Sequence, residues 1–135
     1  MSATQIFVNL PVADLEKSKA FYTQLGFSIN EQFTDQNASC VVISDTIYVM
    51  LLTHDFFRRF TSKDIVDAGS ATEVINAVSA GSRSGVDELA DRALAAGGSQ
   101  TNPAQDEGFM YSRSFSDLDG HLWEVMYMDP STVEG

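Results

Sequence analysis

The sequence predicts an α+β fold made of two tandem βαβββ modules. Two observations lead to it: the order strand, helix, three strands occurs twice, and each helix ends at a glycine that precedes further strand-like runs. Each copy is too small to bury its own sheet face, so we expect both to pack together in one domain, residues 1–135. The predicted boundaries are about 4–54 for the first module, 55–71 for a linker and 72–129 for the second module.

The first module begins with a short strand-like run, QIFVNL, followed by a helix with recognisable ends. Asp14 is a good N-cap, Glu16 lies in the first turn where the helix dipole favours negative charge, and Gly26 stops the helix. The runs FSINEQF, SCVVIS and IYVMLLT are then predicted as strands, and Asp45-Thr46 as a tight turn between the last two.

The second module repeats this order. TEVINAVSA is predicted as a strand and SGVDELADRALAAGG as an amphipathic helix, with Ser84 and Asp87 as a capping-box pair and Gly97 as its end. Of the three runs that follow, GFMYSRSF and HLWEVMYM have strand character, and SQTNPAQ has less. Asp119-Gly120 predicts a hairpin between the last two strands.

The linker, HDFFRRFTSKDIVDAGSA, is too long for a simple turn and contains three phenylalanines next to Arg58 and Arg59. One interpretation is a short helix that packs its aromatic side chains into the core or a subunit contact. The other is a lid over a ligand cleft. Packing is the commoner role of aromatic clusters, so we prefer the first.

Composition excludes several classes of partner. Eight basic against nineteen acidic residues give a net charge of −11, which repels nucleic acid and anionic lipid and attracts cations. No apolar run is long enough to cross a bilayer, and the start lacks the features of a secretory signal, so we expect a cytoplasmic protein. The lone Cys40 lies in the apolar run CVVI and is expected to be a small core residue.

Three features in order resemble the vicinal oxygen chelate superfamily, the group of glyoxalase I, extradiol dioxygenases, and fosfomycin and bleomycin resistance proteins. They are the pattern D-L-x-x-S-x-x-F-Y from Asp14 to Tyr22, the glycine after each helix, and the turn D-x-D-G-H with Glu124 four residues past its glycine. The resemblance covers nearly the whole chain. It implies a curled mixed sheet that forms a cleft, and a homodimer.

In metal-dependent members of that superfamily, strand residues hold a divalent ion that chelates two oxygens of the substrate. The resemblance places these positions at Phe7, about Met50, about Ile75, and Glu124. Only Glu124 has a ligand side chain suited to a hard ion, and a catalytic divalent ion needs about three protein ligands. We therefore expect no cofactor and no standard metal site.

A rearranged metal site is the alternative. Asn9 shares the face of Phe7, Glu73 lies two residues before Ile75, and His54 follows the fourth strand. Such a site for a divalent metal would require the register to shift at several strands at once.

Glu124 is the one carboxylate in an otherwise apolar strand. Strand alternation places it on the side of Leu122 and Met126, and the resemblance assigns that side to the cleft. It is either a structural carboxylate, a general base, or the contact for a cationic ligand. The residues predicted to contact a ligand are Phe7, Asn9, Met50, Ile75, Tyr111, Arg113, Leu122, Glu124 and Met126.

Three polar side chains have competing interpretations. Tyr111 and Arg113 share one strand face and could donate to a ligand, but Arg113 is somewhat more typical of a residue paired with nearby acids. His121 follows a hairpin glycine, where a hydrogen bond that stabilises the turn is the commoner role.

Two functional hypotheses follow. In the first, the protein binds a small organic molecule in the cleft without chemistry, as bleomycin resistance proteins do. In the second it is an enzyme, either a metal-dependent lyase resembling lactoylglutathione lyase or a dioxygenase with a rearranged site, or a metal-free isomerase with Glu124 as base. The missing metal ligands count against the metal-dependent enzymes alone.

Overall fold

The computed structural model describes residues 1–132, which form two compact units. The first unit ends at Val66 and the second begins at Asp67, a boundary that falls inside the predicted linker. Both units have an α+β architecture and an open sheet, in agreement with the predicted fold class. Residues 133–135 of the predicted domain lie outside the described residues.

In the first unit the sheet has the strand order β1-β4-β3-β2. β1 runs parallel to β4, and the other neighbours are antiparallel. Its elements are β1 Ile6–Val12, α1 Leu15–Gln24, β2 Ser28–Asn30, a 3₁₀ turn Glu31–Phe33, β3 Ala38–Val42, β4 Ile47–Thr53 and α2 His54–Phe57.

Helix α1 begins and ends where its sequence predicts. The Asp14 side chain accepts a hydrogen bond from the Lys17 amide at 3.1 Å, and Gly26 has a φ of 103°, which favours glycine. Phe21 and Tyr22 of the helix are fully buried, so α1 covers one face of the sheet. Cys40 is buried as expected.

The prediction that FSINEQF forms a single strand is wrong. Its strand part, β2, ends at Asn30, and Glu31–Phe33 forms the 3₁₀ turn. The reason is local, since the Asn30 side chain accepts a hydrogen bond from the Gln32 amide at 3.0 Å and so caps the turn.

Two of the three linker phenylalanines, Phe56 and Phe57, lie in a short helix. α2 covers His54–Phe57, with Phe56 and Phe57 partly buried. Phe60 is 69% exposed and meets the Phe56 ring edge-on, with 5.2 Å between centroids. This geometry agrees with the short helix, and it does not test the lid. No helix within residues 1–132 has the length and apolarity that a membrane span requires.

In the second unit the strand order is β5-β9-β8-β6, and β7 also pairs with β8. β5 is parallel to β9, so the topology repeats that of the first unit. Its elements are β5 Ile75–Ser79, α3 Arg83–Ala95, β6 Ser99–Gln100, β7 Gln105–Asp106, β8 Met110–Ser116, β9 Leu122–Met128 and a 3₁₀ turn Pro130–Thr132.

The predicted capping box of α3 is wrong. The N-cap is Ser82, whose hydroxyl accepts a hydrogen bond from the Gly85 amide at 3.0 Å. Ser84 lies inside the helix, with its hydroxyl 3.1 Å from that of Ser82. Asp87 is not a capping residue because Tyr111 and Arg113 donate to its carboxylate from β8.

Helix α3 packs on one face of the second sheet. Its buried residues Val86, Ala90 and Ala93 face the sheet, where the Phe115 and Trp123 rings stack with centroids 6.4 Å apart. Strand alternation then directs the neighbours of Trp123, including Glu124, to the opposite face. The fold of the unit thus separates a helix-covered face from the face that carries Glu124.

The hairpin between β8 and β9 is confirmed. The Asp117 carboxylate accepts hydrogen bonds from the amides of Asp119 at 3.0 Å and His121 at 2.9 Å, and Gly120 has a φ of 92°. A Cβ at Gly120 would lie 2.7 Å from the carbonyl oxygen of Ala68, so the segment after Asp67 passes directly against this turn.

Candidate functional site

Glu124 lies in the middle of β9, next to Ala77 of β5 and Ser114 of β8. Leu122 and Met126 point to the same face, as strand alternation predicts. Glu124 is half-buried, whereas its sequence neighbours on the helix face are fully buried. The carboxylate is therefore held on a rigid strand, partly shielded from water.

A shallow pocket opens beside this carboxylate. It contains about 180 Å³ of space, part of it open to solvent. It is lined by Asn102, Pro103, Gln105, Ser112, Arg113, Ser114 and Glu124. Most of this lining is polar, in part because β8 places Ser112 and Ser114 on the Glu124 face.

The Glu124 carboxylate makes no hydrogen bond and no ion pair with any side chain of residues 67–132. Its oxygens remain accessible to water, because residues 1–132 contain no fully buried side-chain oxygen that lacks a hydrogen-bond partner. The other side chains of the pocket are neutral, apart from Arg113. Hence the position of Arg113 decides the charge of the pocket.

Arg113 lines the pocket as part of β8, but its guanidinium is directed to the helix face. It donates to Asp87 at 3.1 Å and to Asp91 at 2.8 Å. The bond to Asp91, reinforced by Asp87, raises the pKa of Arg113 above its ordinary value. The pairing of Arg113 with acids, which we preferred from the sequence, is what the structure shows.

Tyr111 shares this helix face. Its hydroxyl donates to Asp87 at 2.6 Å, and this hydrogen bond, together with Arg113, lowers the pKa of the Asp87 carboxyl. Tyr111 and Arg113 thus connect β8 to α3. The structure does not bring either polar group next to Glu124, because Arg113 pairs with Val125 across the ladder while Ser114 pairs with Glu124.

One wall of the pocket overlaps the run SQTNPAQ, which has strands only at its two ends, β6 and the start of β7. We name residues 101–109, between β6 and β8, the arm. The Ser114 hydroxyl accepts hydrogen bonds from the Thr101 hydroxyl at 2.8 Å and the Asn102 amide at 3.1 Å. Further along, Gln105 and Asp106 pair with Ser112 and Tyr111 as β7. Asn102, Pro103 and Gln105 consequently face the pocket.

The sequence predicted none of the pocket's serines or arm residues. Ser112 and Ser114 alternate along β8, and an antiparallel alignment of β8 with β9 would have placed Ser114 opposite Glu124. No comparable pattern exists for Asn102 or Gln105, whose positions follow from tertiary hydrogen bonds.

Two other predicted contacts of this unit, Ile75 and Leu122, are ladder partners on the Glu124 face. Met126 lies one step further, opposite Ser79. Ile75 is 61% exposed at the edge of the sheet. The structure thus brings together the Glu124 pocket and an adjacent apolar surface within one sheet.

In the first unit the predicted contacts Phe7, Asn9 and Met50 share the face away from α1. Asn9 and Met50 are ladder partners, and Phe7 stacks on Tyr48 with centroids 4.8 Å apart. Tyr48 was missed, although its alternation with Met50 along β4 would have predicted the same face.

The side chains around Glu124 do not fit a catalytic divalent ion. Its ladder neighbours are Ala77 and Ser114, and the predicted position Ile75 offers no ligand atom. Among residues 1–132, the His, Cys, Asp and Glu side chains close enough to share an ion form one group, Asp117, Asp119 and His121, within 4.8 Å of one another. That group belongs to the hairpin turn and excludes Glu124.

Comparison with known proteins gives one family match. Residues 4–44 match the family described as bleomycin resistance protein-like N-terminal. No curated protein matches the chain.

Several solved structures are similar to the chain over nearly its full length. Hypothetical protein SA1046 from S. aureus is 28% identical with a TM-score of 0.78, covering 94% of this chain and 95% of that one. A glyoxylase/bleomycin resistance protein/dioxygenase domain from Frankia sp. EAN1pec is 25% identical with a TM-score of 0.70, covering 94% and 93%. The fosfomycin resistance protein FosX from Listeria monocytogenes is 21% identical with a TM-score of 0.69, covering 97% and 98%.

Proposed function

We propose that this chain, whose resemblance to the glyoxalase, bleomycin resistance and dioxygenase superfamily is confirmed by its fold and its N-terminal match, binds a small organic cation at Glu124. The binding needs no metal. The group recognised is an ammonium, or another donor of comparable strength, attached to an apolar or aromatic body.

The observation that carries the proposal is the half-buried carboxylate of Glu124, which has no side-chain partner among residues 67–132. Its pocket is lined by neutral polar side chains and by Arg113, whose guanidinium is paired with Asp87 and Asp91. A cation placed there would form a charge-assisted hydrogen bond with this carboxylate. An anion would be repelled, both by Glu124 and by the net charge of −11. The hydroxyls and amides around the pocket can complete the hydrogen bonds of an ammonium group.

The dimensions of the pocket restrict what fits. It is shallow, and its 180 Å³ includes space that is open to solvent, so it does not enclose a whole ligand. In this proposal only the charged headgroup lies beside Glu124. The apolar body of the ligand would lie on the same sheet face, over Leu122, Met126 and Ile75.

The test is calorimetric titration with a panel of amines, in which benzylammonium is compared with benzoate, an anion of similar size. We expect the ammonium to bind and the benzoate not to. Glu124→Gln keeps the shape and removes the charge, and should weaken binding by about 1.5–3 kcal/mol, the range for a hydrogen bond to a charged group. The control is Glu16→Gln, an exposed position in α1 that removes the same charge elsewhere. Equal binding of both ions, or equal effects of both variants, would contradict the proposal.

A second candidate rests on the same carboxylate. A metal-free isomerase could use Glu124 as general base, because an unpartnered carboxylate is free to accept a proton from substrate. Glu124→Gln would then leave binding nearly intact and lower turnover about 100-fold or more. A metal-dependent lyase or dioxygenase has no comparable support, since the donor set at Glu124 does not fit the ion.

We also propose an assembly state, a range of partners and a cellular location. The superfamily resemblance supports a homodimer, and the acidic charge supports the absence of nucleic-acid and membrane partners. A cytoplasmic location agrees with the sequence and stays a prediction.

A further inference from the structure

We propose that the arm is a closing wall of the Glu124 pocket and that Arg83 is the positioning residue that holds it closed. This inference rests on the proposed function in so far as the pocket is a binding site. It adds a device that controls access to that site.

The arm has no apolar anchor. All nine residues from 101 to 109 are exposed. Their attachment to the rest of the unit consists of hydrogen bonds and polar contacts. These are the two bonds to the Ser114 hydroxyl, the short β7 ladder, the bond from the Asp129 amide to the Phe109 carbonyl at 2.7 Å, and the contacts with Arg83. Segments with few buried apolar contacts open locally at much lower free energy than the core around them. The arm is thus suited to move while the sheet beneath it stays folded.

Arg83 ties this segment to the rigid part of the unit. Its guanidinium forms an ion pair with the Asp106 carboxylate, donates to the carbonyl of Gly108 at 3.4 Å, and lies 4.7 Å from the centre of the Tyr111 ring. Arg83 is the first residue of α3, and Tyr111 belongs to β8, so one side chain connects the arm to both elements.

Opening of the arm would uncover a buried side chain. Ser112 lines the pocket, pairs with Gln105 of the arm, and is 4% exposed. A cysteine at this position would be protected from a thiol reagent when the arm is closed and accessible when it is open. The rate of labelling then follows the population of the open arm.

The experiment is labelling of Ser112→Cys with neutral N-ethylmaleimide, with each labelled thiol identified by peptide mass spectrometry. Cys40 is an internal reference, because it is buried in the first unit and burial raises the pKa of its thiol. The variant is Arg83→Met, which keeps the aliphatic stem. The matched control is Arg92→Met on the same helix, whose partner Glu88 lies outside the arm.

We expect Arg83→Met to accelerate labelling at position 112 about 3- to 30-fold, the range for loss of an exposed ion pair plus a cation–π contact. Labelling of Cys40, and the labelling rate in Arg92→Met, should not change. Asp106→Asn, a second variant that breaks the same ion pair from the arm side, should reproduce the effect.

Equal labelling rates at position 112 in Arg83→Met and Arg92→Met would overturn the inference, as would acceleration at Cys40 and position 112 alike. No ligand is present in this assay. A negative result in the labelling assay would therefore not contradict cation binding at Glu124. Conversely, failure of benzylammonium to bind would not contradict the role of Arg83 in holding the arm.

Discussion

Replacement of Gly120 by alanine should destabilise the second unit far more than the same replacement at Gly108. Both glycines have a positive φ, 92° and 83°, which costs a residue with a Cβ roughly 1–2 kcal/mol. At Gly108 an added Cβ meets nothing within 4 Å. The effect of Gly108→Ala should be confined to that conformational cost, or less, because the arm can open locally.

At Gly120 a second cost is added. The new Cβ would lie 2.7 Å from the carbonyl oxygen of Ala68 and 2.9 Å from the Cα of Gly69. These are backbone atoms, which cannot rotate away as a side chain can. Overpacking of this kind costs about 1–3 kcal/mol, so the sum for Gly120→Ala is about 2–5 kcal/mol.

The assay is equilibrium unfolding in urea, followed by the fluorescence of Trp123, the single tryptophan of the chain, which is buried in the second unit. Gly81→Ala is the control for a glycine without positive φ and without a close neighbour, and it should leave stability unchanged or slightly higher. If Gly120→Ala and Gly108→Ala fall within about 0.5 kcal/mol of each other, the close approach of Ala68 to the turn is refuted.

Three further predictions concern pH, metal and assembly. Tyr111 and Arg113 lower the pKa of Asp87, so its contribution to stability is present above pH ~4 and is lost as pH falls through the depressed folded value. Asp87→Asn should therefore reduce the loss of unfolding free energy at acid pH, measured by Trp123 fluorescence. An unchanged dependence on acid pH would contradict this. Treatment with a chelator should leave the melting temperature unchanged, because the units carry their own apolar strands and capped helices, and a large drop would contradict a metal-free fold. Light scattering at micromolar concentration should give twice the 14.7 kDa chain mass, and a 14.7 kDa particle would count against the homodimer.

The sequence by itself determined those elements whose causes lie within a few residues. Asp14 caps α1 through a bond to Lys17, three positions away, and the Asp119-Gly120 pair turns the chain between adjacent strands. The faces of β9 followed from alternation, which is a property of every strand. Each of these interactions is short in sequence, so a pattern of residue types is sufficient to predict it.

Tertiary structure decided the features that depend on a partner distant in the chain. Asp87, which the local pattern predicted as a capping residue, instead receives donors from β8, 24 and 26 positions later. The polar lining of the pocket arises because Ser114 stands opposite Glu124 in the ladder and the arm bonds to its hydroxyl. Such contacts depend on strand register and on hydrogen bonds between different elements. They can form only when the sheet has assembled, so local sequence patterns do not predict them.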